Sequence, residues 1–160
     1  MRALASLAAV IVLAAASACS PPVDLSKALE VSNVVTGWVD AGIVNGQNKL
    51  VPAIAFTLKN NSNQKLVTLQ VNAIFRRVNE TEEWGSAFLT AAGSTGVPPG
   101  ATTGRLTMKS QQGYTGTEPR QQMLQNSHFV DAKAEVSAKY GSTQWMRLGD
   151  YRIERKLITP

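Results

Sequence analysis

Apolar residues recur at every second position over several short stretches of this chain, and glycine, proline and asparagine punctuate the gaps between them. The central stretch is Pro52 to Arg77. Ile54, Phe56 and Leu58 alternate with small or polar neighbours, the polar run Asn60-Asn61-Ser62-Asn63-Gln64 follows, and Leu69, Val71, Ala73 and Phe75 alternate again. A period of two broken by turn residues predicts two half-buried strands, read here as an antiparallel pair. The clearest alternation is Val130 to Tyr140. Val130, Ala132, Ala134, Val136, Ala138 and Tyr140 share one face, while Asp131, Lys133, Glu135, Ser137 and Lys139 share the other. A charge or serine at each position of that second face puts it in water.

Other strands follow from the same pattern. Val34 to Val39 precedes Asn45-Gly46, a strong hairpin dipeptide. Trp84 to Thr90 is a short strand, and Leu106 and Met108 alternate with Arg105, Thr107 and Lys109. Trp145 to Leu157 is the last strand. Its apolar phase changes near Gly149-Asp150, which predicts a bulge or a break into two strands. One inner segment reads as a helix, with Thr117 as cap, Glu118 and Pro119 in the first turn, and Met123 and Leu124 as docking side chains. Seven or eight short strands with one short helix predict an all-β fold, an immunoglobulin-like antiparallel β-sandwich.

The N-terminus reads differently. Met1-Arg2 gives a positive start, and Ala3 to Ala16 is an apolar run of about 14 residues, short of the roughly 20 that span a bilayer. This predicts a cleaved signal helix over 1–18. Ala16-Ser17-Ala18 leads into Cys19, and here the chain resembles the bacterial lipoprotein signal, in which a small-residue box precedes a cysteine that is acylated. The resemblance implies lipidation of Cys19 and a membrane anchor. Ala16 stands where that pattern usually has leucine. Cys19 is the only cysteine, so no internal disulfide forms and lipidation accounts for the thiol. Ser20 follows, where aspartate would imply inner-membrane retention; the resemblance thus implies the outer membrane, with the domain in the periplasm or at the surface.

The expected organisation is signal 1–18, tether 19–32 and sandwich domain 33–158. Pro21-Pro22 favours an extended tether, and Asp24 to Glu30 has the makings of one or two helical turns. Ala55-Phe56-Thr57-Leu58-Lys59-Asn60-Asn61-Ser62, Leu66, Val71-Asn72-Ala73-Ile74-Phe75 and Val97-Pro98-Pro99-Gly100 resemble an FxLYD-type domain and, more distantly, the late-embryogenesis-abundant sandwich. The resemblance spans Val34 to Met108 and implies no catalytic residues. The chain departs from it at Phe75-Arg76-Arg77, where an aromatic-Asp end is expected.

Net charge is +5, and cations cluster only at Arg76-Arg77 and Arg152 to Lys156. Those clusters read as solvated strand ends or as a weak attraction to anionic envelope surfaces; nucleic acid is not an expected partner. His128 is the only histidine, and no ligand spacing or nucleophile elbow accompanies it, so no metal, cofactor or catalysis is expected. Glu80, Glu82 and Glu83 read as a solvated turn rather than a calcium loop. Trp38, Trp84 and Trp145 read as packing residues or as a sugar-binding platform. Tyr114 lies between Gly113 and Gly116, with Arg120 nearby, and is the candidate binding loop. Its tyrosine is either a mobile recognition side chain or a cap on the open end of the core. The expected function is a non-catalytic binding or structural module for an envelope protein or glycan. The alternative is a small lipid or glycan carrier with a cavity between its sheets.

Overall fold

The computed structural model describes residues 22–159, so the signal segment and Cys19 lie outside the described residues. The elements are α1 (Leu25–Ala28), β1 (Leu29–Val44), β2 (Gln47–Asn60), β3 (Leu69–Arg77), β4 (Gly85–Ala92), β5 (Leu106–Lys109), β6 (Tyr114–Gly116), α2 (Arg120–Met123), β7 (Ala132–Tyr140) and β8 (Met146–Arg152). One sheet has the order β1-β2-β5, with β6 also paired to β2; the other is β4-β3-β7-β8. All their ladders are antiparallel. This is the expected immunoglobulin-like sandwich, with α2 in the inner segment read as a helix and α1 within the Asp24 to Glu30 stretch read as helical turns. Trp38, Phe56 and Phe75 are its largest fully buried side chains.

The β1–β2 hairpin turns on Asn45 (φ 50°) and Gly46 (φ 76°), a left-handed pair that asparagine and glycine adopt most readily. On β2, Leu50, Ile54 and Phe56 face the main core, while Val51 and Ala53 pack with Val39 beneath Ile158 on the other side. The strand is therefore buried on both faces. Pro52, within it, donates no hydrogen bond, yet its carbonyl accepts from the Ser110 N–H at 3.0 Å, where β5 ends before β6 begins. A proline is tolerated mid-sheet here because the neighbouring ladder is already interrupted.

β2 and β3 are not ladder partners, contrary to the expected pair. They belong to different sheets. Alternation reports that one face is buried but not which strand lies alongside, and the Asn60–Gln64 turn crosses between sheets. The last strand carries a bulge where its apolar phase changes, and ends at Arg152 rather than Leu157. The register steps from Val136↔Gly149 to Ser137↔Arg147, leaving Leu148 as the extra residue of a bulge. β8 then ends, and the chain crosses to β1, where Trp38 N–H donates to Lys156 O (2.8 Å) and Ile158 N–H donates to Trp38 O (2.9 Å).

The segment expected to be a tether folds onto the domain from Val23 onward. Asp24 caps α1 by accepting from Ser26 N–H, Leu25 is 2% exposed, and β1 begins at Leu29. Two buried apolar side chains suffice because they enter an existing core rather than building one. Thr117 does not cap α2. Pro119 occupies that position without a side-chain hydrogen bond, while Met123 and Leu124 are buried as expected. Val130 is 38% exposed and precedes β7, whereas Ala132, Ala134, Val136 and Ala138 are fully covered.

Candidate functional site

At one end of the sandwich four aromatic rings meet. Trp38 comes from β1, Trp84 immediately precedes β4, Tyr114 opens β6 and Phe129 lies three residues before β7. Tyr114 stacks at tilted angles on Phe129 (4.6 Å), Trp84 (4.9 Å) and Trp38 (5.7 Å), and Trp38 meets Phe129 nearly edge-on at 4.6 Å. These separations lie in the favourable range for aromatic pairs, each adding about 0.5–1.5 kcal/mol beyond area burial. The Trp38 indole N–H is buried and has no acceptor among the described residues. Two guanidiniums cover the rim, Arg77 at 5.7 Å from the Trp84 ring and Arg155 at 5.2 Å from the Phe129 ring.

Close approach at two glycines makes this arrangement possible, to backbone at one and to a side chain at the other. A side chain at Gly113 would meet the Leu50 carbonyl oxygen at 2.0 Å, and one at Gly85 would meet Ser110 Oγ at 2.1 Å. Both glycines permit close approach rather than an unusual φ. Tyr114 is thus not the mobile loop aromatic that the flanking glycines suggested. It is a strand residue paired with Leu50, and its hydroxyl donates to Val130 O at 3.1 Å. Burial raises its phenol above the ordinary tyrosine range, against the opposing effect of Arg77.

Between β6, α2 and the turn before β7 lies a groove of about 140 Å³, walled by Tyr114, Thr115, Glu118, Met123, Asn126, His128 and Phe129. Arg120, the other residue singled out from sequence, is not in this wall. Its Nε lies 2.6 Å from Asp40 Oδ2, tying α2 to β1. Arg120, and then the Gly42 N–H, hold the Asp40 carboxyl below its usual range. The structure therefore brings both predicted residues to one end, as wall and as tie. Phe129, which sequence reasoning passed over, contributes as much to the site as Tyr114. Its one sequence signal is an aromatic set immediately before the cleanest strand.

The floor of this end is held by charge. Asp131 accepts from Arg155 Nε at 2.5 Å and also pairs with Arg152, while Arg155 donates to Phe129 O at 2.8 Å. Burial would raise the Asp131 carboxyl, but Arg155 and Arg152 outweigh it and hold it low. The carboxylate nearest His128 in sequence is thus engaged by two guanidiniums. His128 anchors the groove wall through its backbone N–H to Asn126 Oδ1 (2.9 Å). The other cation cluster is likewise paired, Arg76 with Glu135 (3.2 Å) and Arg77 with Glu80 (3.0 Å). No group of three His, Cys, Asp or Glu side chains converges as a metal site among the described residues.

The three tryptophans do not form one platform. Trp38 and Trp84 belong to the aromatic end, while Trp145 lies on the outer face of the second sheet beside Phe88 (6.2 Å).

No family model and no curated protein matches the chain. Among solved structures it is similar to the X-ray structure of Northeast Structural Genomics Consortium target SoR45, at 15% identity and a TM-score of 0.43, over 81% of this chain and 89% of that one.

Proposed function

We propose that this protein is a membrane-anchored bacterial envelope lipoprotein, acylated at Cys19, whose domain is a non-catalytic binding module. Its binding end is the aromatic groove, and the partner is an envelope protein that inserts one side chain there. The observation that carries this reading is the position of the groove relative to the chain's entry. Val23 N–H donates to the Tyr140 hydroxyl at 2.9 Å, at the last residue of β7, whereas Phe129 and the groove precede its first. Nine strand residues separate those ends by about 26 Å. An anchor at Cys19 then leaves the groove turned toward the compartment rather than the bilayer. The groove volume of about 140 Å³ suits one side chain better than a whole small-molecule ligand, whose sites run to roughly 300–1,000 Å³. The outer membrane is the proposed location, with Ser20 after the lipidated cysteine as support.

The test is a photo-crosslinking residue in place of Thr115, which is exposed at the groove, in cells making the full chain. The control carries the same residue at the exposed Asn61, at the other end. A defined protein adduct from position 115 alone supports the reading. No adduct, or equal adducts from both positions, rejects it.

A further inference from the structure

The outer face of the second sheet carries an aromatic pair that its own fold does not require. Phe88 on β4 is 60% exposed and Trp145, just before β8, is 41% exposed; their rings meet edge-on at 6.2 Å, interplanar angle 78°. Phe88 is opposite Asn72, and Lys139 is opposite Gln70, so all four belong to the polar, outward set of the sheet. The Lys139 ammonium lies 5.1 Å over the Trp145 ring. The carboxylates of this face are engaged elsewhere. Glu135 pairs with Arg76 (3.2 Å) and Lys133 (3.0 Å), and Asp150 pairs with Arg147. At the Trp145 end the face therefore presents rings and a cation.

That end is also where the chain enters the domain. Tyr140, which receives the Val23 N–H, is the residue after Lys139, and buried Leu25 fixes the entry within the core. Cys19 lies four residues before Val23 in the sequence, a reach of at most roughly 14 Å for extended chain. A domain held on so short a lead rests against the surface that holds it. The chemistry of the patch fits a lipid surface: aromatic rings settle at headgroup level, and a lysine beside anionic headgroups is favourable.

We propose that Phe88, Trp145 and Lys139 form a membrane-docking patch for a bilayer bearing anionic headgroups. Docking there fixes the anchored domain in one orientation, with α2 and the aromatic groove facing away from the membrane. The inference rests on the reading of Cys19 as a lipidated anchor.

The experiment uses the mature protein in vesicles of phosphatidylcholine and phosphatidylglycerol that contain lipid brominated near the headgroup. Subtracting the emission of a Trp145→Phe variant isolates the Trp145 signal from those of Trp38 and Trp84. Mass spectrometry of the N-terminal peptide from the same sample reads acylation independently. Docking predicts that brominated lipid reduces Trp145 emission, its ring lying at headgroup level, and that Phe88→Ser and Lys139→Gln each weaken the quenching. Acylated protein whose Trp145 emission is unchanged by brominated lipid overturns the patch and leaves the anchor standing. An unacylated N-terminus removes the anchor and the patch together. Trp145 emission that responds to soluble glycan fragments but not to brominated lipid reassigns the face to sugar stacking and also overturns the proposal.

Discussion

The buried side-chain amide of Asn60 donates to the carbonyl of Val97 at 2.8 Å, joining segments 37 residues apart. The same amide donates to Gln64 O at 2.8 Å, while its oxygen accepts from Ser62 N–H at 3.0 Å and Ser62 Oγ at 2.6 Å. Its backbone is tied as well, accepting from Gly100 N–H (2.7 Å) and donating to Ala101 O (2.9 Å). One fully buried polar residue thus holds the crossing turn and the Pro-Pro-Gly loop as a single unit.

Asn60→Ala removes all four hydrogen bonds of that side chain. Val97 O keeps only the Leu66 N–H (3.0 Å), Gln64 O keeps only Ser62 Oγ (3.0 Å), and the Ser62 N–H loses its acceptor. The expected loss is about 2–4 kcal/mol of unfolding free energy, measured by urea titration. Asn60→Asp should cost at least as much at neutral pH, because a carboxylate would then face two carbonyl oxygens.

Much of this unit was legible in the sequence, though not its cause. Asn60-Asn61-Ser62 and Val97-Pro98-Pro99-Gly100 read as turns because their residue types favour bends. That one side chain ties them together is long-range information that local pattern does not contain. The same limit explains β2 and β3, whose alternation revealed buried faces but not their separate sheets. Asn45-Gly46 and the Gly149 bulge were readable because each is decided within a few residues. At the aromatic end the glycines beside Tyr114 suggested freedom. Gly113 instead serves the close packing of backbone on backbone, which a sequence expresses with the same letter.

Gly113→Ala should therefore destabilise by about 2 kcal/mol or more, since its new methyl would meet a backbone oxygen that cannot rotate away. Gly104→Ala is the matched control. Nothing lies within 4 Å of a side chain there, and its φ is not positive. It should leave stability unchanged or raise it by about 0.4–1 kcal/mol through the unfolded chain. Thermal melts of the two variants side by side distinguish close approach from a general intolerance of alanine.

Tyr114→Phe keeps the ring in place but removes the hydrogen bond to Val130 O. Its expected cost is about 1 kcal/mol. Phe129→Ala opens the floor beneath Trp38 and Tyr114 and should cost about 3–5 kcal/mol. A red shift in tryptophan emission should accompany it as water reaches the Trp38 ring.

Acid should weaken the domain through Asp131 and Glu135. Burial raises each carboxyl, but Arg155 and Arg152 in one case, and Lys133 and Arg76 in the other, leave both below their ordinary values. A carboxyl lowered in the folded state binds fewer protons than the unfolded chain does. Its contribution is thus complete above the unfolded carboxylate range and is lost as pH falls through the folded value. Asp131→Asn should cost about 1 kcal/mol at pH 7, as expected of ion pairs in which Arg152 is exposed and Arg155 partly so. It should also flatten the fall in stability below about pH 4, where wild type protonates. Urea midpoints of both proteins across that range decide the point. Parallel curves would show that the Arg152 and Arg155 pairs are not coupled to folding.

The segment that follows β8 bears on the order of assembly. Thr36 Oγ1 donates to Arg152 O (2.9 Å) and accepts from Glu154 N–H (3.2 Å) across 116 and 118 residues of sequence. Val39, Val51 and Ala53 receive their cover from Ile158. The first long strand to be made thus waits for the segment 152–158 before its outer face is closed. Contacts of such separation form late and slowly. A polypeptide made start-first keeps that face uncovered until the segment 152–158 has followed the whole of both sheets, so this face closes last.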